Sequence, residues 1–217
     1  MLLEKNSRLI MAGDSVTDCG RNYDAIPAGW GSFGDGYVSL VNACLTTLAP
    51  EQEIMVVNRG VSGNNIRDLN ARWERDVLAL KPDYISVMIG INDVWRYFDA
   101  PLQQPEFVDK TEFEDTYCTL MEKTLPQVRG MFVMSPFMAE PNRGDPMRKT
   151  VEEYAAIARR TAEKYKVPYI DVQAKVDRFL QSLSSYVISS DRVHPNLQGH
   201  MILAKAFLDA VRLDWNA

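Results

Sequence analysis

The chain has 217 residues, 46% of them hydrophobic and 24% charged, and its 24 Lys and Arg against 29 Asp and Glu leave a net charge of −5. That composition excludes a disordered or collagen-like chain, and an acidic balance with no Lys/Arg cluster excludes a basic surface for nucleic acid or anionic membrane. No stretch approaches the roughly 18 consecutive apolar residues of a membrane span, and a chain of this length buries roughly 70% of its unfolded surface without a disulfide or metal.

One domain over residues 1–217 is therefore expected. The three cysteines, Cys19, Cys44 and Cys118, are odd in number and lack CxxC spacing, so neither a disulfide framework nor a zinc site is indicated. The N-terminal segment breaks its apolar character at Glu4, Lys5, Asn6, Ser7 and Arg8, unlike an export signal. These features point to a reducing cytoplasm.

The first predicted strand, Arg8 to Ala12, runs into Gly13-Asp14-Ser15-Val16-Thr17-Asp18-Cys19-Gly20. A hydroxyl at such a strand-to-turn junction can project into a cleft, although a capping serine or a phosphate-cradling turn would look the same. The phosphate reading is the weaker, because neither GxGxxG nor GK[ST] is present. Cys19 has no basic partner in sequence and reads as a bystander. Tyr23 and Trp30 place aromatic rings in the long connection that follows, from about 14 to 35.

A second strand, Ile54 to Asn58, leads to Arg59-Gly60-Val61-Ser62-Gly63-Asn64, where a glycine lets the backbone approach closely and offer its N–H. A third, Tyr84 to Ile89, leads to Gly90-Ile91-Asn92-Asp93, whose Asn92 amide could donate from a strand end. Each segment alone could be a plain turn. Taken with Ser15, they set a hydroxyl and two donors at three neighbouring strand ends, the set that an oxyanion intermediate requires. Trp95, Tyr97 and Phe98 add aromatics to the next long connection, 92 to 110, and can stack on sugars or pack as a lid or interface.

Phe113, Tyr117, Leu120, Met121 and Leu125 form a helical stripe after a Thr111/Glu114 capping box. The strand Met131 to Ser135 is followed by Phe137 and Met138, which with Met134 could wall an acyl pocket or simply fill core. A second helical stripe runs Val151, Tyr154, Ala155, Ala158, Ala162 and Tyr165, and a fifth strand Pro168 to Val172. Long connections at 136 to 147 and 183 to 195 complete the pattern, before a last helix beginning just after Pro195. Near-continuous apolar strands alternating with helices predict an α/β chain with a parallel sheet of about five strands, and ligands bind at the C-terminal edge of such sheets.

A serine nucleophile needs a base, and the chain holds two histidines, His194 and His200. Asp191 precedes His194 by three residues and can reach Nδ1 of that imidazole, leaving Nε2 for a serine. His200, inside the last helix with no acid before it, reads as structural. His194 as a helix-capping or surface histidine is the bland alternative.

The ordered blocks Gly13-Asp14-Ser15, Gly63 after Asn58, Gly90-Ile91-Asn92-Asp93 and Asp191-Arg192-Val193-His194 resemble the four blocks of the GDSL/SGNH hydrolases. Val16 replaces the leucine of the GDSL signature, an apolar exchange. The resemblance implies a flavodoxin-like three-layer α/β/α sandwich. It also implies Ser15 as nucleophile, His194 as base, Asp191 as its orienter, and the Ser15 N–H, Gly63 N–H and Asn92 side chain as an oxyanion hole, with no metal or cofactor. The longer string GDSVTDCGR, with a tryptophan in the first loop, looks most like bacterial esterases that remove acetyl groups from xylan or xylooligosaccharides. From that likeness follow an acetylated carbohydrate substrate, a homo-oligomer, and Tyr23, Trp30 and Trp95 as substrate-binding candidates. A lipolytic esterase or thioesterase for longer acyl chains shares the same triad.

Overall fold

The computed structural model describes residues 1–99 and 107–216. Five strands, β1 (Arg8–Gly13), β2 (Met55–Gly60), β3 (Tyr84–Met88), β4 (Gly130–Met134) and β5 (Tyr169–Ile170), form one parallel sheet in the order β2-β1-β3-β4-β5. This is the flavodoxin-like order, with its topological switch between β1 and β3. The five expected strands are present with ends shifted by up to two residues. Strand β5 is the most shortened, because only Tyr169 and Ile170 find ladder partners on β4.

Alternation along each strand divides the apolar residues between two cores. Ile10 and Ala12 of β1 join Val57, Ile85 and Val87 beneath α3 (Ile66–Asp76), α5 (Lys110–Thr124) and α6 (Pro146–Tyr165). Leu9 and Met11 point the other way, onto α2 (Tyr37–Leu48), α7 (Val172–Leu180) and α8 (Leu197–Ala210). Helices thus cover both faces, which completes the three-layer sandwich. Met134 and Phe137 lie in the second core and Met138 in the first, all three buried as core filler.

The α5 stripe is as expected, but its start is not. Asp109 caps the helix by accepting the Glu112 N–H at 2.8 Å, and Glu114 pairs with Arg160 at 3.1 Å. A carboxylate two residues upstream of Thr111 supplies the acceptor for the free amides of the first turn, so Thr111 is already helical. A second difference concerns the connection after β3: α4 (Ile91–Asp99) begins at Ile91 and places Asn92 on its first turn. Residues 100–106 of the expected 92 to 110 connection lie outside the described residues. Among the described residues no helix is long and apolar enough to cross a membrane.

Candidate active site

Strand β1 delivers Ser15 to the first position of a one-turn helix, α1 (Ser15–Asp18). Asp14 caps it by accepting the Val16 N–H at 3.0 Å. Strand β2 comes very close to this helix: a Cβ built on Gly60 would lie 2.1 Å from the Asp18 amide nitrogen, so only glycine fits there. The neighbouring strand ends are held by side chains that no local motif announces. Arg72, buried on α3, donates to the carbonyls of Gly13 (2.9 Å) and Arg59 (3.0 Å) and to Asn64 Oδ1 (2.6 Å). Asn58 donates to the Thr17 and Phe33 carbonyls and accepts the Gly60 N–H.

From the far end of the chain comes the partner of Ser15. Ser15 Oγ lies 2.9 Å from His194 Nε2, and His194 Nδ1 lies 2.7 Å from Asp191 Oδ2. A carboxylate only accepts, so Nδ1 carries the hydrogen and Nε2 is left to accept the serine proton. The acid and the base share one short segment closed by a Ser189–Pro195 bridge. Asp191 Oδ1 stitches it together by accepting the Val193 N–H (2.9 Å), the His194 N–H (2.8 Å) and the Ser189 hydroxyl (3.2 Å). Partial burial raises the Asp191 pKa, but hydrogen bonds from the His194 ring and from the His194 and Val193 amides outweigh it and hold it at about 2. It is therefore a carboxylate throughout the range in which an imidazole needs a counter-charge. Arg192, at φ +70°, turns this segment outward and pairs with Glu140 at 2.8 Å.

Gly63 sits at φ +83°, a conformation that favours glycine, and a Cβ built on it would meet no atom within 4 Å. Among the described residues its N–H is not taken up by another group, and neither is that of Ser15. Asn92 is buried and donates one amide hydrogen to the Asn64 carbonyl at 2.9 Å, which leaves its second hydrogen uncommitted among the described residues. Ser15, Gly63 and Asn92 are thus carried by the ends of β1, β2 and β3, three adjacent strands. Trp95 stands edge-on to the His194 ring with centroids 5.4 Å apart. Tyr23 and Trp30 are exposed on the first loop, Trp30 almost completely at 99%.

Two buried carboxyls lie behind these donors. Burial pushes both Asp14 and Asp93 up to about 7, against hydrogen bonds from Val16 and Ile66 respectively that pull the other way. Each also feels the chemistry around it: His194 and Arg72 lower Asp14, whereas Asp14 and Asp68 raise Asp93. His200 is buried in α8, and burial lowers its pKa to about 4. Its Nδ1 accepts the Tyr37 N–H at 3.1 Å, so Nε2 carries the hydrogen and donates to Cys19 Sγ at 3.2 Å. The fold therefore gives Cys19 an imidazole neighbour that sequence did not disclose. That imidazole is a donor and not a base, and burial with Asp35 nearby pushes the thiol pKa up.

Comparison with known proteins places this geometry. The model of the GDSL-like lipase/acylhydrolase family matches residues 11–202, a span that carries every residue of the Ser15–His194–Asp191 relay. The chain belongs to the GDSL-like lipase/acylhydrolase family. Within it, the chain is 45% identical over 218 aligned residues to an acetylxylan esterase of Geobacillus stearothermophilus, covering 99% of this chain and 98% of that protein. The crystal structure of that organism's Axe2, an acetylxylan esterase, superposes with a TM-score of 0.96 at 44% identity, over 99% of this chain and 98% of that one. LAE5, an α/β hydrolase enzyme from the metagenome of Lake Arreo, superposes with a TM-score of 0.95 at 45% identity over 97% of each chain. Solved S15A, D191A and H194A forms of Axe2 are described as its catalytic mutants.

Proposed function

We propose that this family member is a serine esterase that removes O-acetyl groups from acetylated xylooligosaccharides or related sugars through an acyl-enzyme. The observation that carries the reading is the continuous relay from Ser15 Oγ through His194 to Asp191, at 2.9 and 2.7 Å. Its three members have the numbers of the positions altered in the Axe2 catalytic mutants. In this mechanism His194 Nε2 takes the Ser15 proton as Oγ attacks the ester carbonyl. The oxyanion is received by the Ser15 and Gly63 N–H groups and by the free hydrogen of the Asn92 amide. His194 then protonates the departing sugar oxygen, and a water molecule, deprotonated by the same nitrogen, releases acetate and restores Ser15. No step in this sequence calls for a metal or an organic cofactor.

Tyr23, Trp30 and Trp95 are the proposed sugar-facing rings, with Trp95 best supported because it touches the base itself. The three free cysteines support a cytoplasmic location. Exposed Ile26 and Trp30 on the first loop support a homo-oligomer in which a second copy covers them. A sharp monomer mass by light scattering at working concentration would remove that last element.

The deciding experiment compares kcat/KM for p-nitrophenyl acetate, butyrate, octanoate and palmitate with that for peracetylated xylose, using Ser15→Ala as the blank. A steep fall beyond acetate together with efficient sugar deacetylation is expected. Preference for octanoate or palmitate with acetyl-xylose ignored would move the substrate to longer acyl chains and leave the relay intact.

A further inference from the structure

Asp18 closes α1, three residues beyond the nucleophile, and is buried to 3% exposure. Its Oδ2 accepts three hydrogen bonds: the Ser62 hydroxyl at 2.7 Å, the Ser62 N–H at 3.2 Å and the Tyr23 hydroxyl at 2.7 Å. Oxygen–oxygen distances of 2.7 Å are the ordinary length of well-formed hydroxyl hydrogen bonds. Arg21 approaches the other oxygen at 3.8 Å, but its Nε is committed to the Gly60 carbonyl at 2.8 Å, and among the described residues Oδ1 has no hydrogen-bond partner of its own. The Arg21 guanidinium also lies 3.9 Å above the Tyr23 ring.

Gly63 follows Ser62 directly. The entry to its turn is tied to β1 by the Val61 N–H on the Gly13 carbonyl at 3.1 Å, and the exit is tied through Asn64 to Asn92 and Arg72. Between these anchors Ser62 and Gly63 are exposed, and among the described residues Asp18 is the group that holds Ser62. We propose that Asp18 is a positioning residue that locks the Gly63 turn onto the nucleophile helix and gathers Tyr23 of the first loop into the same clamp. The proposal rests on the esterase reading above and adds what sets its oxyanion geometry. The helix that carries Ser15 thereby also fixes the donor that must lie across from it. Both ends of the acyl-transfer geometry then move together, and a ring on the first loop is tied to the same oxygen.

The test joins turnover to a measurement that needs none. In Asp18→Asn, shown to be folded by its melting curve, kcat for p-nitrophenyl acetate is expected to fall about 10²-fold, the scale of a misplacement of about 1 Å. KM should stay within about twofold, because the Gly63 N–H that the clamp positions would bind the oxyanion only in the transition state. Ser62→Ala removes one of the two Ser62 bonds and should fall about 10-fold, and the double variant should be no worse than Asp18→Asn alone, because both act through one contact. Losses that multiply would mean that Asp18 and Ser62 act through separate contacts, and a merely structural role for Asp18 would quicken exchange in the strands as well. Amide exchange over residues 61–64 should quicken in Asp18→Asn while exchange in the strands is unchanged. Should that variant fail to fold, Ser62→Ala and Tyr23→Phe, both at exposed positions, carry the same exchange measurement. Unchanged exchange at 61–64, or multiplicative losses, overturns the proposal. Quickened exchange in a protein whose unaltered form turns over no acetyl ester would refute the esterase reading and leave the lock standing.

Discussion

Replacing Asn92 by alanine separates two jobs that one side chain performs. Its amide carries two hydrogens; one is on the Asn64 carbonyl at 2.9 Å, and in the proposed mechanism the other is offered to the developing oxyanion. Losing a preorganised oxyanion donor costs about 3 kcal/mol of transition-state stabilisation, so kcat should fall about 10²- to 10³-fold. Losing the Asn64 bond leaves a carbonyl at the turn unsatisfied, a cost of about 1–3 kcal/mol to the fold. At about 2–4 °C per kcal/mol for a chain of this length, the melting temperature should drop by several degrees. Steady-state kinetics on p-nitrophenyl acetate, run well below the variant's melting temperature, reads the first effect; calorimetry reads the second. A kcat within about threefold of the parent in a folded Asn92→Ala protein, or a rise in KM with kcat intact, would refute the assignment of Asn92 to the transition state.

Other outcomes follow from the same geometry. Asp191→Asn replaces an acceptor with a group that can offer an N–H to His194 Nδ1, favouring the wrong tautomer, and should lower kcat by about 10³- to 10⁴-fold with little change in KM; a loss under about tenfold would argue that the segment's backbone alone orients the imidazole. Asp93 is raised to about 7 and its Oδ2 is buried without a hydrogen-bond partner among the described residues, so the folded chain holds a proton there that the unfolded chain releases near its ordinary value of about 3.9. The stability this proton gives is complete below the unfolded value and is lost as pH rises through about 7. Asp93→Asn should therefore melt progressively higher relative to the parent as pH rises from about 5 to about 8, and a constant difference would contradict it. Arg148, 1% exposed and paired with Asp177 and Glu152 at 2.8 Å, leaves Glu152 without this cation when replaced by alanine, and leaves Asp177 with Arg143 at 3.2 Å. A loss of about 3–5 kcal/mol is expected in urea melts. Less than about 1 kcal/mol would mean that water replaces the guanidinium freely.

How much of this was legible in the sequence depended on the range of the contact. Asp191 and His194 are three residues apart, and scarcity did the rest, because two histidines left few pairings for Ser15. The strands were legible because a sheet covered on both faces needs nearly unbroken apolar runs, and Leu9 to Ala12 supplies one. What stayed hidden is long-range and polar. Arg72 is one more charged residue in a charged stretch of sequence until β1 and β2 end beside it with carbonyls to satisfy. The Cys19–His200 contact joins residues 181 apart, and no local pattern marks either partner. Asp18 is likewise an ordinary acid in the string until the Ser62 turn folds back over it. The α5 cap was misplaced for a different reason: Thr111 and Glu114 match a capping box, but Asp109 lies upstream and takes the role first.

In the proposed mechanism the base and its acid are carried to the nucleophile on one short segment. Asp191 Oδ1 binds the amides of Val193 and His194, so ring orientation is set by contacts within 189–195 and not by β1. Assembly of the relay is then a docking problem between two rigid parts, with the gap between Ser15 Oγ and His194 Nε2 as the main adjustable length. Errors in catalytic geometry should accordingly enter through the seat of that segment on the sheet edge, where Arg192 pairs with Glu140 and its carbonyl accepts the Ala139 N–H. For anyone grafting this chemistry onto another parallel sheet, the transferable units are a capped turn and a seven-residue clasp, and the seat between them is what must be built anew.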